Sequence, residues 1–301
     1  MARKKRVGFN FFRLFTTTEE GNDVYLNITN LLEQIRLNYL RQAEGIDEEQ
    51  KLVYSYQGEP AKLADVRVDE NNFYHLTFER LLNYQLPIKT TLHGESDVID
   101  IEENEFVGHE VSVLYDPIEH VMMVQRNRDS LGPTAISEFL NSIVEESELA
   151  SNAFLSVITD REARHRGFNQ NKYKKLQVKV SGMEAQNLLR RLLDGAPQGV
   201  ETVELIVSSG RGRESEIENE SIHPILERYV GNDDVQKLKV SGKYEEYSNV
   251  EPVDLLNQKL ETFVDLDYRE HRYFNPISVY EKMLGKYIHE DGGFRNIIQR
   301  M

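Results

Sequence analysis

The chain has 301 residues, a formal net charge of −15 and no cysteine, which excludes disulfides, thiolate metal sites and cysteine-nucleophile chemistry. The acidic balance argues against a protein that coats nucleic acid, because neutralising phosphate needs basic surface. Hydrophobic content of 39% with 13 Phe and 15 Tyr is enough for real cores, and no apolar run approaches the ~18 residues of a membrane helix.

The N-terminus starts basic, but its apolar run is broken by Asn10 and Arg13 and does not read as a signal peptide. The expectation is a soluble, cytoplasmic protein. Lys5 to Thr17 reads as an aromatic-rich strand. Ile28, Leu31, Leu32, Ile35 and Tyr39 share one face of a helix that Asn27 or Thr29 would cap. Strands are expected at 52–56, 61–68 and 73–81, with a turn at Glu70-Asn71-Asn72. Residues 88–105 are polar and acidic, with Val98, Ile99 and Ile101 as one more strand.

The most legible stretch runs from Val111 to Pro133. Val111, Val113 and Tyr115 alternate, Asp116-Pro117 turns the chain, and 121–125 resumes as an apolar strand. Ile136, Phe139, Leu140, Ile143 and Val144 then have helical spacing, with Ser130 or Thr134 as caps. Beyond an acidic, small-residue stretch at 145–152 the texture changes. Strands are expected at 154–158, 176–180 and 203–207, a loop or short helix at 160–171, and helices at 183–193 and 222–229. The C-terminal third reads as amphipathic helices at 253–263 and 278–289 flanking a strand at 264–268.

Lys175–Gly182 echoes Lys237–Gly242, and a Leu-Leu pair follows each (Leu188-Leu189 and Leu255-Leu256), as a weak internal strand–turn–helix repeat would require. The class is α+β, in two mixed sheet-and-helix halves. The strand-rich N-terminal half spans 1–148, and a strand/helix half spans 149–301.

Charge is unevenly spread. From Glu95 to Glu148 there are 14 acidic and 2 basic residues, and the two are Arg126 and Arg128. On a continuing strand they would face one side and clamp an anion. Equally, they would pair with Glu119, Asp129, Glu138 or Glu145 and lock the hairpin to the helix after it. From Asp160 to Arg191 there are 9 basic and 3 acidic residues. This basic middle, with Arg161, Arg164, Arg166, Lys172, Lys174 and Lys175 beside Phe168 and Tyr173, suits single-stranded nucleic acid or an acidic protein surface. It also reads as a solvated loop balancing acidic neighbours. The acidic counterparts are Glu102, Glu103 and Glu105, and Glu214, Glu216, Glu218 and Glu220.

Asp160 with Gln177 and Lys179 has the form of a Mg²⁺-nuclease site, although the first carboxylate is missing. His109, His120, His271 and His289 form no zinc-binding pair, and Gly210-x-Gly212 lacks the rest of a nucleotide fingerprint. No cofactor is expected.

The stretch Leu114-Tyr115-Asp116-Pro117, with Met123 to Arg128, Ser130 and Leu131, resembles a recurrent pattern in uncharacterised bacterial and phage proteins. Val253 to Leu256, with Asn275-Pro276, Val279-Tyr280 and Met283, resembles the end of the same group. The likeness covers about a third of the chain. Such families are associated with phage–host conflict, including the DNA-binding subunit of the Kiwa defence system and phage-encoded inhibitors of defence complexes. The resemblance implies a conflict protein, and the acidic charge suits an inhibitor or adaptor that engages a protein complex. The expected function is therefore a non-enzymatic interaction protein acting through acidic surfaces. A nucleic-acid-binding defence component is the alternative, and a metal-dependent nuclease follows it. The protein could be a homo-oligomer.

Overall fold

A computed structural model describes residues 4–46, 51–160, 163–192, 199–210, 212, 215–230, 232, 234–243, 250–256, 259–267, 274–289 and 293–300. The chain forms two compact units, 1–157 with 264–300 and 158–263. Both mix strands and helices, and the class is α+β.

In the first unit β1 (Lys4–Thr17) and β2 (Asp23–Tyr25) precede α1 (Thr29–Ala43). Then come β3 (Leu52–Tyr56), β4 (Glu59–Val68), β5 (Tyr74–Leu82), the two-residue strands β6 (Lys89–Thr90) and β7 (Ser96–Asp97), β8 (Val107–Asp116) and β9 (Val121–Gln125). Next are α2 (Pro133–Glu146) and β10 (Phe154–Val157). The sheet order is β10-β1-β9-β8-β5-β4-β3.

Alternation along the central strands sends Leu76, Phe78, Val111, Val113, Tyr115, Met122 and Val124 to one face. There Leu32 and Ile35 of α1 and Ile136, Phe139, Leu140 and Val144 of α2 cover them. The other face is apolar too, which is why β9 is buried at every position.

In the second unit the order is α3 (Ala163–Phe168), β11 (Lys172–Ser181), α4 (Gly182–Leu192), β12 (Thr202–Ser208), α5 (Asn219–Tyr229), β13 (Val235–Lys243) and β14 (Glu251–Asp254). The antiparallel sheet runs β12-β11-β13-β14. Leu176, Val178, Val180, Leu238 and Val240 meet Ala163, Ala185, Leu188, Ile222 and Leu226 in its core. β15 (Glu261–Asp267) carries the chain back to the first unit, where it pairs with β1. The chain ends with α6 (Pro276–Tyr287) and α7 (Phe294–Gln299).

α6 and α7 close the second face of the first sheet. Val279, Met283, Tyr287 and Ile298 are buried, and Phe11 stacks on Phe294 at 4.7 Å. The structure therefore differs from a division at 148/149, because 264–300 returns to complete the first unit's core.

Most expected elements form, including the 111–125 hairpin. The described residues of 253–263 are not helical. Val253 pairs with Val240 in the ladder, so the apolar spacing that suited a helix serves β14 and a turn at Leu255-Leu256 instead. Among the described residues the strand–turn–helix unit forms once, after β11, while the echoed strands are each other's partners, Leu176 opposite Val240 and Val178 opposite Leu238. The expected strand at 98–101 is absent, and Val98 is 72% exposed. The expected buried strand at 203–207 is the sheet-edge strand β12, alternately exposed and half-buried. Gly132 sits at the N-cap of α2 with Pro133 behind it, without a side-chain cap. At α1, Asn27 accepts a hydrogen bond from the Thr29 backbone N–H at 2.9 Å.

Candidate protein-interaction site

β5 and β8 pair along their whole length, and the last register pair is Leu82 with Val107. Between those adjacent residues the chain makes a long excursion, 83–106. Connections of this length without substantial structure of their own are uncommon in compact domains and are usually functional or linkers. Its base is anchored where Glu59 accepts hydrogen bonds from Tyr84 Oη and Arg80 Nε. Beyond, β6 and β7 pair only with each other, Lys89 with Asp97 and Thr90 with Ser96.

Every residue of this arm is exposed except Leu86 and Ile101, which are half-buried. Exposed positions include Ile88 and Val98, and Leu92 at 92%. Among them stand Glu95, Asp97, Asp100, Glu102, Glu103 and Glu105. Single exposed apolar residues are ordinary, and here three stand on one short connection. The sequence-predicted Glu102, Glu103 and Glu105 lie on this arm. Glu105 accepts from the Glu102 backbone N–H at 2.9 Å and shapes its second turn.

The other predicted residues are dispersed. The strand ends at Gln125, so Arg126 and Arg128 lie on the bend after it and not side by side on a continuing strand. The Arg126 backbone N–H donates to Gly8 O at 2.8 Å, and its guanidinium fills the space that a Cβ on Gly8 would take. Arg128 is exposed. The described hydrogen bonds that tie this bend to β8 come from Asn127 Nδ2, donating to Glu110 O at 2.8 Å, and Ser130 Oγ, donating to His109 O.

In the second unit Arg166 pairs with the buried Asp160, Lys174 donates to the carbonyl of Ser215, and Arg164 is exposed on α3. Glu218 and Glu220 flank the start of α5, where acidic residues favour the helix dipole, and Glu216 is exposed just before it. Arg161, Glu214 and His271 lie outside the described residues. Asp160, the carboxylate of the nuclease reading, is 1% exposed and held by Arg166. No group of three His, Asp or Glu at metal-binding geometry occurs among the described residues. Nor, among them, is any helix long and apolar enough to cross a membrane.

Lys172 and Lys175 stand on the face of the second sheet opposite its core, with Lys179 on β11 and Lys237, Lys239 and Lys243 on β13. Sequence reasoning missed this grouping as a site, although its signal, charged residues at period two in both echoed strands, was visible.

Residues 2–298 match a family described as Family of unknown function (DUF6731). The chain belongs to that family. No curated protein matches it.

This DUF6731 chain also holds two buried polar nodes that its motifs did not announce. Asp116 is fully buried at the β8 end. It accepts from the N–H groups of Ile118 and Glu119, from Tyr287 Oη at 2.9 Å and from Arg295 Nε at 2.8 Å. His75 stacks on Tyr280 at 4.7 Å with its Nε2 3.2 Å from Ser112 Oγ, and burial pushes its imidazole down to about 4. The Asp116 node fastens α6 and α7 to the sheet, and the His75 node fastens α6, with Ser112 at 2% exposure.

Proposed function

We propose that this protein is a non-enzymatic interaction protein that engages a protein partner through the 83–106 arm. The observation that carries the reading is the arm's exposure, with apolar Ile88, Leu92 and Val98 set among carboxylates and outside any core. Such a surface fits a partner whose apolar groove is rimmed by Lys or Arg, the carboxylates steering approach and the apolar groups supplying contact area. A stoichiometric binder of this kind, working in a reducing cytoplasm, agrees with a chain without cysteine. Its placement in phage–host conflict rests on the resemblance of 114–131 and 253–283 alone.

The ladder makes the test clean. Because Leu82 and Val107 are register partners, replacing 83–106 with Asn-Gly closes β5 and β8 as a two-residue hairpin. The excised protein is expected to keep its circular dichroism and melt within a few degrees of wild type. Affinity capture from the native host should recover a stable complex with the full chain and lose it with the excised one. Recovery of the same complex by both proteins would overturn the reading.

A further inference from the structure

The face of the second sheet opposite its core, whose lysines are half-buried, has an arrangement that its own fold does not favour. Lys179 lies directly opposite Lys237 in the β11–β13 ladder, and Lys172 opposite Lys243. Like charges in directly opposed positions destabilise a sheet. At a strand rise of ~3.4 Å per residue the Lys172-to-Lys179 run extends roughly 20–24 Å. Helices α3, α4 and α5 contribute to the core on the opposite face.

Carboxylates offset part of this charge. Lys237 pairs with Glu204 at 2.8 Å, and Lys239 bridges Asp254 at 3.0 Å and Glu261 at 2.9 Å. The hydrogen bond from Lys237, with the charges of Lys237, Lys179 and Lys175, holds the Glu204 carboxyl below its usual value. Among the described residues, one glutamate stands beside three ammonium groups on the β12 side, next to Ile206, which is 52% exposed.

An extended anion with some apolar character fits this face. Among the described residues of β11, β12 and β13, no aromatic side chain stands with Gln177, Ser241 and Ile206 on this face, so these strands offer nucleotide bases nothing to stack on. An acidic polypeptide has a lower charge density and brings apolar groups. The arm has that composition. Fully extended, 95–105 reaches roughly 35 Å, longer than the stripe, and its carboxylates are exposed in its own chain.

We infer that the partner of the arm is a second copy of this chain, whose lysine stripe on β11 and β13 receives the acidic residues of 95–105. The inference rests on reading the arm as the partner-binding element.

Sedimentation of the full chain at 0.1 M and 1 M salt, with charge-reversed variants, tests it. Raising the salt shortens the screening length from about 10 Å to about 3 Å, so wild-type self-association should weaken at least tenfold. Glu102→Lys/Glu103→Lys and Lys175→Glu/Lys179→Glu should each weaken it at least tenfold at 0.1 M. An equimolar mixture of the two variants should restore it, because the unaltered acidic arm of the stripe variant then meets the unaltered lysine stripe of the arm variant. That rescue also shows that neither variant has merely misfolded.

A wild-type chain that stays monomeric, or association that neither variant affects, overturns the inference. So does a mixture that fails to associate. Labelled DNA that binds the wild-type monomer but not Lys175→Glu/Lys179→Glu also overturns it, since the stripe's ligand would then be nucleic acid. A monomeric wild type that still loses a cellular complex on arm excision would remove the second copy and leave the arm's role standing.

Discussion

At the scale of single residues, Asp116 joins the middle of the first unit's sequence to its C-terminal helices. In the chain it is half of an Asp-Pro turn signal. In the fold it accepts four hydrogen bonds, two from its own turn and two from α6 and α7. Burial and the adjacent carboxylate push the Tyr287 phenol far above its ordinary value, so it remains a neutral donor. Removing one partner of a buried pair leaves the other uncompensated, at a cost of about 3–5 kcal/mol. Asp116→Ala should lose that much in urea denaturation, and Tyr287→Phe only about 1 kcal/mol. An Asp116→Ala protein within 1 kcal/mol of wild type would contradict this role. His75 makes a pH prediction. Its imidazole is held near 4 in the fold against ~6.5 in the unfolded chain, so lowering the pH protonates the unfolded state first. The stability from keeping it neutral is complete above ~6.5 and is lost as pH falls towards 4. At ~1.36 kcal/mol per unit, the loss between pH 7.5 and 5 is about 2 kcal/mol. His75→Gln should flatten that slope in urea midpoints measured at the two pH values, and an unchanged slope would assign it to other groups.

At the scale of elements, legibility followed how many constraints acted on a segment. The 111–125 hairpin and α2 were readable because period, turn residues and Pro133 agreed. Residues 253–263 were not. Val253, Leu256 and Leu260 satisfy helical spacing, and ladder pairing of Val253 with Val240 places Val253 in a strand instead. Val98, Ile99 and Ile101 looked like a strand because nothing in the sequence says that no sheet edge is available to them. The acidic part of the candidate site was legible in Glu102, Glu103 and Glu105, since charge is countable without a fold. Its apolar part, Leu92 and Val98, was not, because exposure of an apolar residue is a tertiary fact. The lysine stripe was hidden for a related reason. Lys179 and Lys237 are far apart in sequence and become neighbours only through the β11–β13 register.

At the scale of the whole molecule, the return of the chain to its first unit decides what that unit needs in order to fold. Phe9, Phe11, Leu114, Val121 and Met123 are almost wholly buried on a sheet face that residues 1–157 alone do not cover. Their cover includes Met283, Tyr287, Phe294 and Ile298, from beyond the second unit. Each such side chain contributes about 1.5–3 kcal/mol when buried, and a domain is stable by only about 5–15 kcal/mol in total. Losing the group together, with the Asp116–Arg295 pair, exceeds the lower half of that range. The second unit has its own core around Leu176, Val178, Leu226 and Leu238, with none of its described members drawn from 264–300. A chain ending at Phe263 should therefore lose slow hydrogen exchange throughout β1, β8 and β9 while keeping it in β11 and β13. Protection retained in β8 and β9 would mean that the first sheet stands without its C-terminal cover. Protection lost equally in β11 and β13 would mean that the two units unfold as one.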